Sequence, residues 1–379
     1  MNILGYVKKY GDKTFKQMPF NEVDALIFSE LAYINFDLSV PHNKFISLAR
    51  LSIEDKKAFY TGSVDQKFNE KLVDAMMVSN RYKHIRIGFC HSQFDKKKYL
   101  QFFALTILLP DKTGFISFRG TDTSLLGWRE DLLIAYSDDM PSQRMSVDYV
   151  IEMSKKINTN FYIGGHSKGG NLAIYSALNL TPEIEERVIN VFSFDGPGFR
   201  NDICKLESYS RMEHKIIKYL TSNDMIGVIY NRILNPRIVY SNGILLGGHD
   251  PFRWKVAKTG ESFEYAETRS KNSEKFEEGV MNWLTTIADD DKQLAIDVLY
   301  HLFGDSENIY DLLLKSARLI VRAKQSLVDY TSVQIAKTEE IFRRLGRFLF
   351  RAYSPRKYLK AKKPNESATI EEINDTTLQ

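Results

Sequence analysis

The chain has 379 residues, 43% of them hydrophobic and 26% charged, enough for one large domain with an appendage or for two domains. Its two cysteines, Cys90 and Cys204, form no C-x-x-C and no cluster, which argues against a disulfide framework or a zinc site and suits a reducing compartment. The first residues carry no secretion signal and no stretch reaches the roughly eighteen apolar residues of a membrane span, so a cytoplasmic location is expected.

In chain order, Asn21 followed three residues later by Asp24 predicts a capped helix with Leu26, Ile27, Leu31 and Ile34 on one face. A second amphipathic helix is predicted over 66–78, with Phe68, Leu72, Val73 and Met76 inward. Both are read as packing elements. From Tyr82 the period becomes two: Ile85, Ile87 and Phe89 alternate with basic residues, and a longer apolar strand returns over 99–109. A buried strand over 115–118 ends at Arg119-Gly120-Thr121-Asp122, followed by an irregular segment with Trp128 and Asp131 and a helix near 146–157. Strands over 188–194, 215–220 and 237–246 end at Asp195-Gly-Pro-Gly198, Thr221-Ser-Asn-Asp224 and Gly247-Gly-His249, and a short two-stranded element pairs 254–256 with 263–265. Strands alternating with helices predict an α/β fold with a mainly parallel sheet, whose ligands bind at the carboxyl ends of the strands.

The stretch that organises the rest is Gly165-His166-Ser167-Lys168-Gly169, between a short buried strand over 161–164 and a helix over 169–178. A serine on a sharp strand-to-helix turn is held out at the sheet edge, and the flanking glycines let neighbouring backbones close on the turn. The amide of Lys168 would open the helix and point to where negative charge develops on a substrate oxygen. A serine hydroxyl needs a base to take its proton and a third group to fix that base. In hydrolases with this elbow the chain order is serine, acid, histidine, which Asp224 and His249 satisfy. Asp195 also ends a strand and is the rival acid, its plainer reading being a cap on the Gly-Pro-Gly turn. His166 is read as packing. The other five histidines have no ligand spacing, so neither metal nor cofactor is expected.

Four motifs carry a family likeness: Phe118-Arg-Gly-Thr121 with Trp128 and Asp131, the Gly165 to Gly169 elbow, Asn223-Asp224 with Ile226 and Val228, and His249 before an aromatic cluster ending in Trp254. Over roughly 100–255 the chain resembles the class 3 lipase-like α/β-hydrolases, particularly an uncharacterised bacterial branch. The resemblance implies Ser167 as nucleophile, Asp224 as orienting acid, His249 as base, and the amides of Thr121 and Lys168 as oxyanion hole. It also implies a lid between Thr121 and Leu133, with Leu125 and Leu126. Lys168 departs from the family's apolar residue after the serine, and its side chain is expected to meet an anionic substrate group or a nearby acid such as Asp195.

The net charge of +4 is unevenly placed. From 311 to 363 there are fourteen basic and four acidic side chains, an excess of ten that leaves the remainder about six negative. The expected organisation is a helical segment over 1–80 packed on the core, an α/β-hydrolase core over 81–268, a basic helical region over 269–363 and a disordered tail over 364–379. Residues 341–363 could meet an anionic membrane at its inner face, or form a helix with a solvated basic face. No stacking module favours nucleic acid. The expected function is a serine hydrolase of a carboxylic ester, an acyl lipid or similar apolar ester. The competing reading is an inactive lipase-like scaffold at the inner membrane face.

Overall fold

Along residues 100–108 every side chain is buried, so neither face of this strand can be left to solvent. In the computed structural model, which describes residues 1–61, 65–95, 100–121, 140–231, 233, 235–243, 245–292, 294 and 331–353, the strand is part of one eight-stranded sheet. The strands are β1 (Phe45–Ser47), β2 (Arg86–Asp95), β3 (Leu100–Leu108), β4 (Gly114–Phe118), β5 (Phe161–His166), β6 (Val188–Phe194), β7 (Ile216–Thr221) and β8 (Arg237–Val239), and their spatial order follows the chain. β1 to β4 pair antiparallel and β4 to β8 pair parallel, with helices on the connections from β4 to β7. The chain has an α/β-hydrolase fold.

The two faces are covered by different parts of the chain. Phe103, Leu105 and Ile107 of β3 face a core shared with α1 (Ile3–Tyr10), α2 (Glu22–Leu31) and α4 (Gln66–Val78), the short α3 (Lys56–Tyr60) lying beside them. Phe102, Ala104 and Leu108 face the opposite core, built with α5 (Pro141–Lys156) and α6 (Lys168–Leu178). This two-residue alternation is strand geometry with both sides dry. Phe28 of α2 meets Phe115 of β4 with ring centroids 5.5 Å apart, and each such buried ring contributes about 2 kcal/mol of transfer free energy.

The capping box expected at Asn21 is present, its side chain accepting from the amides of Val23 and Asp24 while Asp24 reaches back to the Asn21 amide. The helix expected over 66–78 is α4. α1, inside the helical segment expected over 1–80, forms because Asn2 caps it through Gly5 N and its apolar residues fall three and four apart. Two expected boundaries change. α5 begins five residues before the predicted helix because Pro141 occupies its first turn and Gln143 accepts from Met140 N. β8 is three residues long because Ser241-Asn242-Gly243 turns, with Gly243 N donating to Ser241 Oγ. The 254–256 pairing with 263–265 survives as one isolated bridge, Val256 to Phe263, while Tyr265 bridges to Val239 of β8 and Trp254 to Ser241.

Beyond the sheet, α7 (Pro182–Glu185) and α8 (Glu207–Met212) lie on later connections, and α9 (Lys271–Thr286) and α10 (Ser332–Tyr353) follow. Ser270 N donates to Ser222 O at 2.7 Å and Trp283 Nε1 to Ile341 O at 3.1 Å, which ties α9 to the sheet edge and α10 to α9. Arg343, Arg344 and Arg347 on α10 are exposed and face Glu339 and Glu340. The expected disordered tail and the basic stretch after 353 lie outside the described residues. Among the described residues no helix is long and apolar enough to cross a membrane.

Candidate active site

The turn from β5 into α6 is the site's tightest feature. Ser167 has φ 58° and ψ −130°, a region that an L residue enters at a cost of about 1–3 kcal/mol. Its amide is held by Phe194 O of the neighbouring strand at 2.8 Å, and its carbonyl accepts from Gly170 N. A Cβ on Gly165 would lie 2.3 Å from the Gly169 carbonyl carbon, so both glycines are required for the strand to meet the helix. β4 ends in the same place: a Cβ on Gly120 would sit 3.0 Å from Ser167 Cβ and 2.5 Å from His166 O. Thr121, one residue on, therefore borders the serine, and its hydroxyl is buried with no hydrogen-bond partner among the described residues.

His249 closes a short 3-10 helix, Leu245–His249, and its ring lies 4.4 Å from that of His166. His166 Nε2 is 2.8 Å from His249 O and its Nδ1 is 3.0 Å from Tyr33 Oη. A carbonyl only accepts, so Nε2 carries the proton and Nδ1 accepts from the tyrosine. Burial, and then the neighbouring His249, hold this imidazole well below the ordinary histidine range, which keeps it neutral. Residues 33 and 166 thereby fix the backbone that carries His249.

The acid on His249 is Asp195. Its Oδ2 lies 3.2 Å from His249 Nδ1, while its Oδ1 accepts from Thr221 N at 2.8 Å. A carboxylate at Nδ1 draws the proton there and leaves Nε2 as the basic lone pair. Asp224 was expected in this position, and the geometry corrects that expectation. Asp224 Oδ1 accepts from the amides of Ile226 and Gly227 at 2.8 and 3.0 Å, so the carboxylate caps its own turn. The two roles foreseen for Asp224 and Asp195 are exchanged. Both side chains are fully buried at the ends of adjacent parallel strands, and burial pushes both carboxyl groups above the ordinary carboxylate range. Among the described residues Ser167 and His249 are not hydrogen-bonded to each other; the His249 side chain is 19% exposed.

A family model described as Mbeg1-like matches residues 76–301. The chain belongs to the Mbeg1-like family. This is a lipase-like family. Among solved structures the Mbeg1-like chain is similar to a Rhizomucor miehei lipase in complex with its propeptide, at 14% identity over 66% of this chain and 72% of that one, with a TM-score of 0.38. It is also similar to a mutant form of MDLA from Penicillium cyclopium, at 12% identity over 66% of this chain and 87% of that one, with a TM-score of 0.41. No curated protein matches the sequence.

In the Mbeg1-like chain Lys168 is 1% exposed, and its ammonium donates to Gln101 O at 2.8 Å. This contact straps the elbow to β3, which pairs through β4 with the nucleophile's strand. His166, Asp195 and His249 bring ligand atoms within 4.8 Å of one another. Both nitrogens of His166 and Nδ1 of His249 are engaged in the hydrogen bonds above, which account for that convergence. The predicted lid, with Leu125, Leu126, Trp128 and Asp131, lies outside the described residues. Tyr33 went unnoticed in the sequence, since nothing local links it to a histidine 133 positions away.

Proposed function

We propose that the chain is a serine hydrolase of carboxylic esters, with an acyl lipid or another apolar ester as substrate. The observation that carries this reading is the backbone of Ser167, a non-glycine residue held at positive φ where four elements converge. Strain of that kind persists only where the surrounding structure over-determines it, and at a strand-to-helix turn it presents a nucleophile. In this reading His249 Nε2 takes the proton of Ser167 Oγ as the oxygen attacks the carbonyl. Asp195 holds Nδ1–H and stabilises the imidazolium. The oxyanion rests on the amides of Thr121 and Lys168, with the Thr121 hydroxyl as a further donor. The imidazolium returns its proton to the leaving alcohol, and water, activated by the same nitrogen, releases the acid.

A second reading, a lipase-shaped scaffold without activity, is favoured by one observation: the hydroxyl and imidazole are not hydrogen-bonded among the described residues. Such contacts often tighten only with substrate. A fluorophosphonate probe separates the two. The expected outcome is covalent labelling of the full-length chain that disappears in Ser167→Ala. A folded wild-type chain that stays unlabelled, and that hydrolyses neither short nor long acyl esters, leaves the scaffold. The exposed arginines of α10 support a further part of the proposal, contact with anionic membrane. Flotation with phosphatidylserine vesicles that recovers none of the chain removes that part.

A further inference from the structure

Asp224 is left without the task expected of it, yet it is fully buried behind the carboxylate that holds His249. One oxygen is satisfied by Ile226 N and Gly227 N; the other, Oδ2, is buried with no hydrogen-bond partner among the described residues. A Cβ placed on Gly227 would lie 2.5 Å from Asp224 Oδ2 and 3.0 Å from the backbone carbonyl carbon of Asp195, so the orphaned oxygen lies beside residue 195. A side-chain hydrogen bond with Asp224 is among the contacts that hold Asp195 down against its burial. Two ionised carboxylates cannot share a dry site at that range, whereas a single proton between them turns repulsion into a hydrogen bond.

We propose that Asp224 is a neutral carboxylic acid at neutral pH whose Oδ2–H donates to the carboxylate of Asp195, making Asp224 a positioning residue for the His249 imidazole. One proton then satisfies the orphaned oxygen and adds a donor to Asp195, which already accepts from Thr221 N and His249 Nδ1. Asp195 stays ionised toward the histidine because the acid behind it carries the proton. The groups facing the pair are consistent with this. Lys218 of β7 donates to Gly227 O at 3.0 Å and is drawn down by burial; Arg269 and Glu277 stand beyond it, and His166 is neutral. Burial, and then Asp195, raise Asp224 above the ordinary carboxylate range.

The effect on rate rests on the serine-hydrolase reading; the proton does not. Carbon-13 carboxyl spectra of the aspartate-labelled full-length chain test it directly. The expected result is one aspartate with the shift of a protonated acid at neutral pH, titrating above the ordinary carboxylate range and missing from Asp224→Asn. Wild-type spectra in which every aspartate is ionised at neutral pH overturn the proposal, whatever the variants do, and so does a protonated signal that persists in Asp224→Asn. Fluorophosphonate labelling supplies the second arm. Removing a donor to a charged acceptor in Asp224→Ala should slow labelling by about ten- to a hundredfold. Asp224→Asn, whose amide can donate in the acid's place, should recover most of that loss. An asparagine variant as slow as Asp195→Asn overturns the donor role. If no form labels, the hydrolase reading falls while the spectra still decide the proton.

Discussion

The Asp24–Arg81 cluster and the Asp195–Asp224 cluster are both fully buried, and they are completed to different degrees. Around Arg81, Nε and Nη2 reach the two oxygens of Asp24, Nη1 reaches Met18 O and Lys13 O, and Nη2 also reaches Pro19 O. Asp24 accepts in addition from Tyr82, Tyr6 and the Asn21 amide. Nothing in that network is left over, and no backbone strain accompanies it. At the sheet edge Asp224 Oδ2 and Thr121 Oγ1 have no partners among the described residues, and Ser167 and Asp195 both sit at positive φ. A satisfied network fastens α1, α2 and the turn after α4 to one another; an unsatisfied and strained one keeps donors and acceptors available for a reacting group.

The largest effect should come from breaking the satisfied cluster. Arg81→Met leaves the Asp24 carboxylate buried without its cation and should cost about 3–5 kcal/mol of unfolding free energy, read from urea denaturation. Fluorophosphonate labelling per folded molecule should not change, because Arg81 touches no residue of the site. A loss below about 1 kcal/mol would mean that the pair is replaceable and that the contrast between the clusters is only one of geometry. Thr121→Val tests the opposite end. It removes the unpartnered hydroxyl but keeps the amide, so labelling and ester hydrolysis should slow by about a hundredfold, near 2.7 kcal/mol of barrier, as for loss of one oxyanion donor. Its urea midpoint should stay at or above that of the wild type, since a buried hydroxyl without a partner stabilises nothing. Full activity in this variant would remove the hydroxyl from the oxyanion site.

The same contrast governs what could be read from the sequence. The elbow, the capping box at Asn21 and α4 are local patterns, decided within a few residues by spacing and side-chain type. The choice between Asp195 and Asp224 is not local. Both follow strands, both lie before His249, and β6 and β7 are neighbours, so their carboxylates arrive at one edge. Chain order ranks Asp224 first; the amides of Ile226 and Gly227 then capture it, and the positive φ of Asp195 belongs to the residue that reaches the imidazole. The roles of Tyr33 and of Lys168 depend on partners 133 and 67 positions away, brought close only by the sheet. Composition likewise hides that α2, read as packing, precedes the tyrosine that holds His166.

The smallest effect expected is at a third cluster, partway between these two in completeness. Glu30 of α2 accepts from Asn69 Nδ2 of α4 at 3.0 Å, while Glu30 Oε2 and Asn69 Oδ1 are both buried without partners among the described residues. A proton on Oε2 satisfies both at once by closing an acid–amide ring. Burial pushes Glu30 up to about 8, with Asp250 and Asp65 adding to the rise and Asn69 opposing it. The folded chain therefore holds this proton more tightly than the unfolded chain. Its contribution to stability is complete below the ordinary carboxyl range and is lost as pH rises through about 8. Glu30→Gln places a permanent donor where the proton sits, and so should flatten the pH dependence of the urea midpoint. Relative to wild type it should be nearly neutral at acid pH and more stable by about 2 kcal/mol at alkaline pH, a value set below the full linkage limit because buried carboxyls relax and hydrate. A glutamine variant that is less stable than wild type at alkaline pH would show that Glu30 is held ionised, and the α2–α4 contact would then belong with the charged clusters rather than between them.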